Sequence, residues 1–337
     1  MTARISSPSL GAASYQERGT WTAAVSHRWQ YSDRHFIGDV EQTVREAEGS
    51  QVINNIHVVD LSVGYAVSKR VNATLSVPFQ FATRSQTIRD TRPGMTNQFG
   101  NQRVLDRFTT EANGLSDLKL LGTVWLLDPD RNKQQNVSLG LGVLFPTGEK
   151  DAKDEFEVFE TNSVGFIRSV RQNVDNSIQP GTGAWGIIFD LYAFKQIITN
   201  LTVFAAGTYI ATPEEDAGVV SGNLDAPNPT IWSVGDSYLF RAGLGHTFLP
   251  KYGLTFTLGG RLEGSPSTDL IGGSGGRRRP GFAVSIEPGL VFTRNRWFAS
   301  FSAPVAVYRN RERNFAGQSG DAAFADFMTL FSVGRSF

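Results

Sequence analysis

Twelve stretches of this chain alternate apolar and polar residues with a period of two, and the links between them are alternately short and long. Period two marks a half-buried strand, because successive side chains leave a pleated backbone on opposite faces. The first row is Trp21, Ala23, Val25, His27, Trp29, Tyr31, backed by Thr22, Ser26, Arg28 and Gln30. Further rows begin near residues 59, 71, 118, 137, 185, 201, 238, 254, 282 and 297, and the last is Phe327, Thr329, Phe331, Val333, Arg335, Phe337. Ser68-Lys69, Pro250-Lys251-Tyr252-Gly253 and Arg294-Asn295-Arg296 are tight turns, and residues 128–135 and 196–200 make slightly longer ones. The six long links fall at about residues 32–50, 82–114, 146–182, 211–229, 265–280 and 309–322. A soluble sandwich has no reason to gather every long loop at one end, whereas transmembrane barrels do so. The expected fold is all-β, a transmembrane antiparallel up-and-down barrel of about 12 strands. It forms one domain over residues 19–337 with six long extracellular loops, after a periplasmic tail at 1–18. Twelve strands at ~4.8 Å spacing and ~40° tilt give a cylinder roughly 24 Å across.

The depth of the aromatic residues is a second constraint. Trp29, Tyr31, Phe79, Phe145, Trp185, Tyr209, Phe282 and Phe327 fall at the long-loop ends of their rows. Trp21, Tyr65, Phe248, Phe292, Trp297 and Phe337 fall at the short-turn ends, and aliphatic residues dominate between. Two such girdles are expected at the two lipid–water interfaces. A soluble sandwich would instead place aromatics mid-strand, where two sheets face each other.

Composition removes several function classes. With 32 basic and 32 acidic side chains there is no charge excess to draw a nucleic acid. The absence of cysteine excludes disulfides, thiolate metal sites and cysteine nucleophiles, and the sequence offers no other cofactor or metal motif. The longest nearly apolar run, 118–127, is interrupted by Lys119 and falls far short of the ~20 residues a spanning helix needs. MTARISSPSL lacks a basic leader with an apolar core, so a mature chain with an added or retained Met1 is expected.

The inward rows carry Arg28, Asp60, Lys119, Asp190, Arg241, Arg261, Glu263, Glu287 and Asp326, the candidate pore-lining residues. Each would cost several kcal/mol against acyl chains, so a polar interior is required. It serves either as a water-filled pore or as a network of paired charges that stiffens a narrow barrel. Pro78, Pro288 and Pro304 lack the N–H that a ladder needs and predict bulges or a break in pairing. The third loop is acidic, and Arg277-Arg278-Arg279, Arg309, Arg311 and Arg313 make the fifth and sixth basic. Such arginines are placed to meet lipopolysaccharide phosphates, and otherwise the expected partner is outer-membrane lipid. Gly272–Gly276 lacks the context of a phosphate loop.

The closing row, with its final Phe337, resembles the last strand of bacterial outer-membrane barrels. A lipid-facing Ser-His-Asn group on twelve strands would resemble outer-membrane phospholipase A. His27 and His246 lie outward but at opposite ends and without an evident Ser/Asn partner, while His35 and His57 read as loop and strand-end residues. No catalytic residue is assigned. Several segments resemble the outer-membrane family named for the meta-pathway of phenol degradation. They are Tyr31-Ser-Asp-Arg-His-Phe-Ile-Gly38, Leu75-Ser-Val-Pro-Phe79, Gly114-Leu-Ser-Asp-Leu118, Gly140-Leu-Gly-Val-Leu-Phe-Pro-Thr-Gly148 and Gln179-Pro-Gly-Thr-Gly183. The resemblance implies a porin-like transporter for small solutes, hydrophobic or aromatic ones among them, without catalytic residues. Arg335 departs from the apolar residue usual in such barrels and is expected to snorkel to the interface. The competing expectations are a plugged structural barrel that docks a periplasmic or surface protein, with Thr2–Arg18 as plug or tether, and, more remotely, a lipid-facing hydrolase.

Overall fold

The computed structural model describes residues 15–161, 165–221, 230–317, 320 and 322–337. Most of the N-terminal tail, residues 1–14, therefore lies outside the described residues. Twelve antiparallel strands close into a barrel. They are β1 (Trp21–Ile37), β2 (Ile53–Ala66), β3 (Val71–Arg89), β4 (Val104–Leu115, continued by Leu118–Trp125), β5 (Gln135–Phe145) and β6 (Gly186–Ile198). The circuit continues with β7 (Leu201–Ala211), β8 (Ser237–Leu249), β9 (Leu254–Ser265), β10 (Gly281–Arg294), β11 (Trp297–Ser302, continued by Val305–Asn310) and β12 (Ala322–Ser336). Each pairs with its chain neighbours, and β12 returns to β1 in register from Thr22↔Ser336 to Phe36↔Ala322. Closure satisfies the backbone groups that lipid could not.

The side chains divide as the period-two pattern requires. Val25, Leu61, Leu141, Phe240, Leu258, Leu290 and Phe331 stand exposed on the outer face. Ser62, Thr74, Thr123, Ser138 and Ser332 line the inside. Tight turns at the short end use left-handed residues, Asn200 (φ 65°), Gly253 (φ 71°) and Asn295 (φ 56°). Asn and Gly tolerate that region best.

Several strands run further past the long-loop girdle than the apolar rows indicate. β1 reaches Ile37, and β3 runs to Arg89 and pairs with Val104–Leu115, a segment that the sequence pattern leaves in a loop. Above the membrane no lipid meets the outer face, so the ladder continues while the polarity contrast disappears. Two of the long loops add small hairpins, Lys153–Glu160 with Phe166–Asn173 and Asp216–Ser221 with Thr230–Ser233.

The prolines mark where the wall is discontinuous. β4 is interrupted at Ser116-Asp117, opposite Pro78 of β3, between the pairs Phe79↔Leu115 and Ser76↔Lys119. β11 is interrupted at Ala303-Pro304, opposite Pro288 of β10. In each case the residue without an N–H faces the gap in its neighbour, so the missing donor falls where the ladder is already broken.

Candidate functional site: the barrel lumen

The short-turn half of the lumen holds a cavity of about 250 Å³ walled mainly by small side chains. Asp60, Lys119 and Asp190 are its charged residues. Thr208 Oγ1 donates to Asp190 at 2.8 Å. On the opposite wall Arg241 grips Glu287 with two hydrogen bonds of 2.8 Å, and Ser302 Oγ adds a third at 2.7 Å. Arg261, almost wholly buried, pairs with Glu263 at 2.7 Å and stands 3.8 Å from Glu287. On this wall two arginines face two glutamates, so each of the four buried charges has its counter-charge in reach.

The long-loop mouth is closed by the third loop. Gln80, on the inner face of β3, donates to the carbonyls of Ile178 at 2.7 Å and Gln179 at 3.1 Å. Ser116 donates to the carbonyl of Pro180, and Asp117 accepts from Gly148 N, Thr182 N and Thr182 Oγ1. The interruption in β4 is thus where the loop is bolted to the wall. Gly148 and Gly181 meet there backbone to backbone, and a Cβ on either would run into the other chain segment. Asp175 lies 2.9 Å from Arg279 and 3.6 Å from Arg84. Burial acts to raise its carboxyl, but attraction to Arg279 and Arg84 prevails and holds it far below the ordinary carboxylate range.

Two further chambers lie beneath this closure. One, of about 130 Å³, is bordered by Arg28, Arg45, Arg84, Arg279 and His35. The other, of about 90 Å³, is bordered by Val58, Leu144, Ile210, Val219, Trp232 and Val234, with Lys119 and Lys150 at its edge. The two share Arg28, Val58 and Gln80, and the apolar one shares Lys119 and Ile210 with the large cavity below. Trp232 has two guanidinium groups over its ring, Arg277 and Arg279, each 4.9 Å from the ring centre.

The short-turn mouth is lined by aromatics. Trp125, Tyr192 and Phe194 point inward and contact one another at 6.0–6.1 Å between ring centres. Tyr15 of the N-terminal tail packs edge-on against Trp125 and is hydrogen-bonded to Asn132 O and Asn136 Nδ2. The alternation pattern assigns Trp125, Tyr192 and Phe194 to polar rows, and their only signal was an aromatic residue on the wrong face.

Asp326 stands apart from the other inward-row charges. It lines none of the chambers and binds Arg34 at 2.7 Å and Arg309. Register shifts between Gln30 and Arg34 change which residues of β1 and β12 face inward. His35 lines the arginine chamber with Ala323, while Phe324, the partner of Arg34 in the ladder, is buried against Phe36 and Ala283. His27 and His57 share a hydrogen bond of 3.1 Å, Nε2 to Nδ1, and the nearby Asn55 accepts from Trp29 Nε1. Arg335 lies over the rings of Trp297 and Phe337, at 5.2 and 5.3 Å. Of the girdle residues, Trp21, Tyr31, Tyr65, Trp185, Phe248, Trp297, Phe327 and Phe337 are exposed, and Trp29, Phe79, Phe145, Tyr209, Phe282 and Phe292 are half-buried.

Among solved structures, an outer-membrane channel from Pseudomonas putida matches at a TM-score of 0.61 over 99% of this chain and 100% of that one, with 12% identity. The fold is that of an outer-membrane β-barrel. Looser matches include the CymD monoaromatic hydrocarbon channel (TM-score 0.46, 10% identity, 96% of this chain and 89% of that one). The translocator domain of the autotransporter NalP from Neisseria meningitidis matches at a TM-score of 0.47 and 13% identity, over 97% and 91% of the two chains. No family model and no curated protein matches the sequence.

Proposed function

We propose that the chain is an outer-membrane channel through which small solutes, hydrophobic and aromatic ones included, diffuse down their gradients. The observation that carries this is a row of adjacent chambers along the lumen. Successive chambers share side chains, Arg28 with Val58 and Gln80 above and Lys119 with Ile210 below, from beneath the third loop down to Trp125. A barrel filled only for rigidity has no need of a row of chambers that abut on the same side chains. The widest, about 250 Å³, exceeds the ~150 Å³ of an apolar cavity that admits benzene. The sequence resemblance to the family named for the meta-pathway of phenol degradation supports the same solute class. The test is single-channel recording in planar bilayers with the folded protein. Discrete conductance steps are expected, and silence under all conditions would remove the channel reading.

The second reading is a plugged barrel that docks a partner. It is favoured by closure at both mouths, through Gln80 with the third loop and Tyr15 with Trp125. On that reading Tyr15→Ala stays as silent as the parent protein.

A further inference from the structure

One charge of the large cavity stands without an opposite charge. Among the described residues the carboxylate of Asp190, on the inner face of β6, has a single polar partner, the Thr208 hydroxyl at 2.8 Å, and no ion pair. The carboxylates of the opposite wall, Glu263 and Glu287, each meet an arginine. Arg241, across the ladder from Tyr192 by way of Ala206, is held by both oxygens of Glu287. Asp60 and Lys119, the other charges of the cavity, are already engaged. Beside Asp190 the wall is bare: a Cβ on Gly140 would come within 2.8 Å of the Asp190 Cβ and 3.1 Å of Leu121 Cδ1. Two residues along β6, on the same inner face, stands Tyr192. Its ring meets that of Trp125 at 6.1 Å, and both line the cavity.

We propose that this cavity is a binding site for a compact aromatic ammonium ion, its charged nitrogen on Asp190 and its ring against Tyr192 and Trp125. This rests on the channel reading and names a solute class for its widest chamber. A carboxylate removed from bulk water without a counter-charge is costly, and an ammonium group offsets that cost where an alcohol or an anion does not. Thr208 donates to Oδ2, which leaves Oδ1 to the ligand. Positions two apart on a strand share a face and are about 6.6 Å apart, so charge and ring are met side by side on one wall. Aromatic faces attract both a second ring and a nearby cation. At about 250 Å³ the cavity exceeds the ~150 Å³ that admits benzene, so one ring with a short arm fits. A metal ion suits the place less well, since among the described residues no three His, Asp or Glu side chains gather to hold one.

Isothermal titration of folded protein in detergent micelles tests this with three probes of similar size: benzylammonium, benzyl alcohol and benzoate. Benzylammonium is expected to saturate one site, the alcohol to bind about tenfold more weakly or worse, and benzoate not to bind. Asp190→Asn is expected to weaken benzylammonium about tenfold while leaving the alcohol unchanged, and Tyr192→Leu to weaken both. Lys251→Gln in an exposed turn should alter neither. The ranking of the three probes on the parent protein decides even where a variant does not fold. Alcohol or benzoate bound as tightly as the amine, amine binding indifferent to Asp190→Asn, or displacement of the amine by equimolar magnesium overturns the proposal. The titration reads the site whether or not current flows. A silent bilayer with selective benzylammonium binding defeats the channel reading alone, and conductance with unselective binding defeats the ammonium site alone.

Discussion

Tyr15 packs edge-on against Trp125 with ring centres 5.1 Å apart, while its hydroxyl bonds Asn132 and Asn136 at the start of β5. A segment that precedes the first strand thereby seals the mouth formed by β4, β5 and β6. An aromatic pair of this geometry contributes about 0.5–1.5 kcal/mol beyond its area burial, so the seal is one that thermal motion opens. Tyr15→Ala is expected to raise single-channel conductance or open probability without changing the heat-dependent gel shift of the barrel. Unchanged conductance would place the barrier elsewhere.

The third loop is held chiefly by Asp117, whose carboxylate accepts three hydrogen bonds. Hydrogen bonds to a charged group are worth about 1.5–3 kcal/mol each. Asp117→Ala is expected to release the segment 146–182, read as faster proteolytic cleavage there while the barrel itself resists. Gly181→Ala should act similarly through steric conflict with Gly148.

Loop closure should depend on acid through Asp175. Arg279 and Arg84 hold its carboxyl far below the ordinary range despite its burial. A lowered folded-state pKa stabilises above the unfolded value of about 3.9, and that contribution is lost as pH falls further toward the folded value. Tryptophan fluorescence around Trp232 is therefore expected to stay constant from pH 8 to about 5 and to change below about 4. Asp175→Asn should loosen the loop at neutral pH and flatten that acid limb.

Glu287 serves two guanidinium groups, Arg241 directly and Arg261 at 3.8 Å. Removing one partner from a buried ion pair costs about 3–5 kcal/mol, because the remaining charge stays desolvated. Glu287→Ala should lower the urea midpoint in micelles accordingly. The double change Arg241→Met with Glu287→Leu, which leaves Arg261 its Glu263, should lie closer to the parent protein.

The wall of this barrel was legible because lipid and water act on opposite faces of every strand. Leu61 and Asp60, or Phe240 and Arg241, are sorted by that contrast alone. Where the contrast ends, so did legibility: Val104–Leu115 is a strand that meets no lipid and packs one face under the third loop, with Ala112 against Ala152 and Ile178. Asp326 meets Arg34 and Arg309 and no chamber, and the register shifts beside it are a property of two paired strands with no trace in either one. The loop contacts of Gln179, Asp175 and Trp232 follow no period at all. Their one trace was in the short glycine-rich segments around Gly148 and Gly181, whose spacing makes sense only once the two backbones touch. Trp125 and Tyr192 were hidden by the rule itself, since an inward aromatic keeps the alternation intact while filling the space it lines.

The seam between β1 and β12 joins the two most distant parts of the described chain, down to the bond from Phe337 N to the Trp21 carbonyl at 2.8 Å. Its first strand has one unsatisfied edge until the last residues arrive, so the ring is completed only by the slowest kind of contact a chain can make. Until then β1 presents bare backbone to whatever surrounds it, and membrane insertion has to wait on, or be coupled to, that final pairing. Truncating the last strand should therefore halt assembly as a whole and leave no smaller barrel behind.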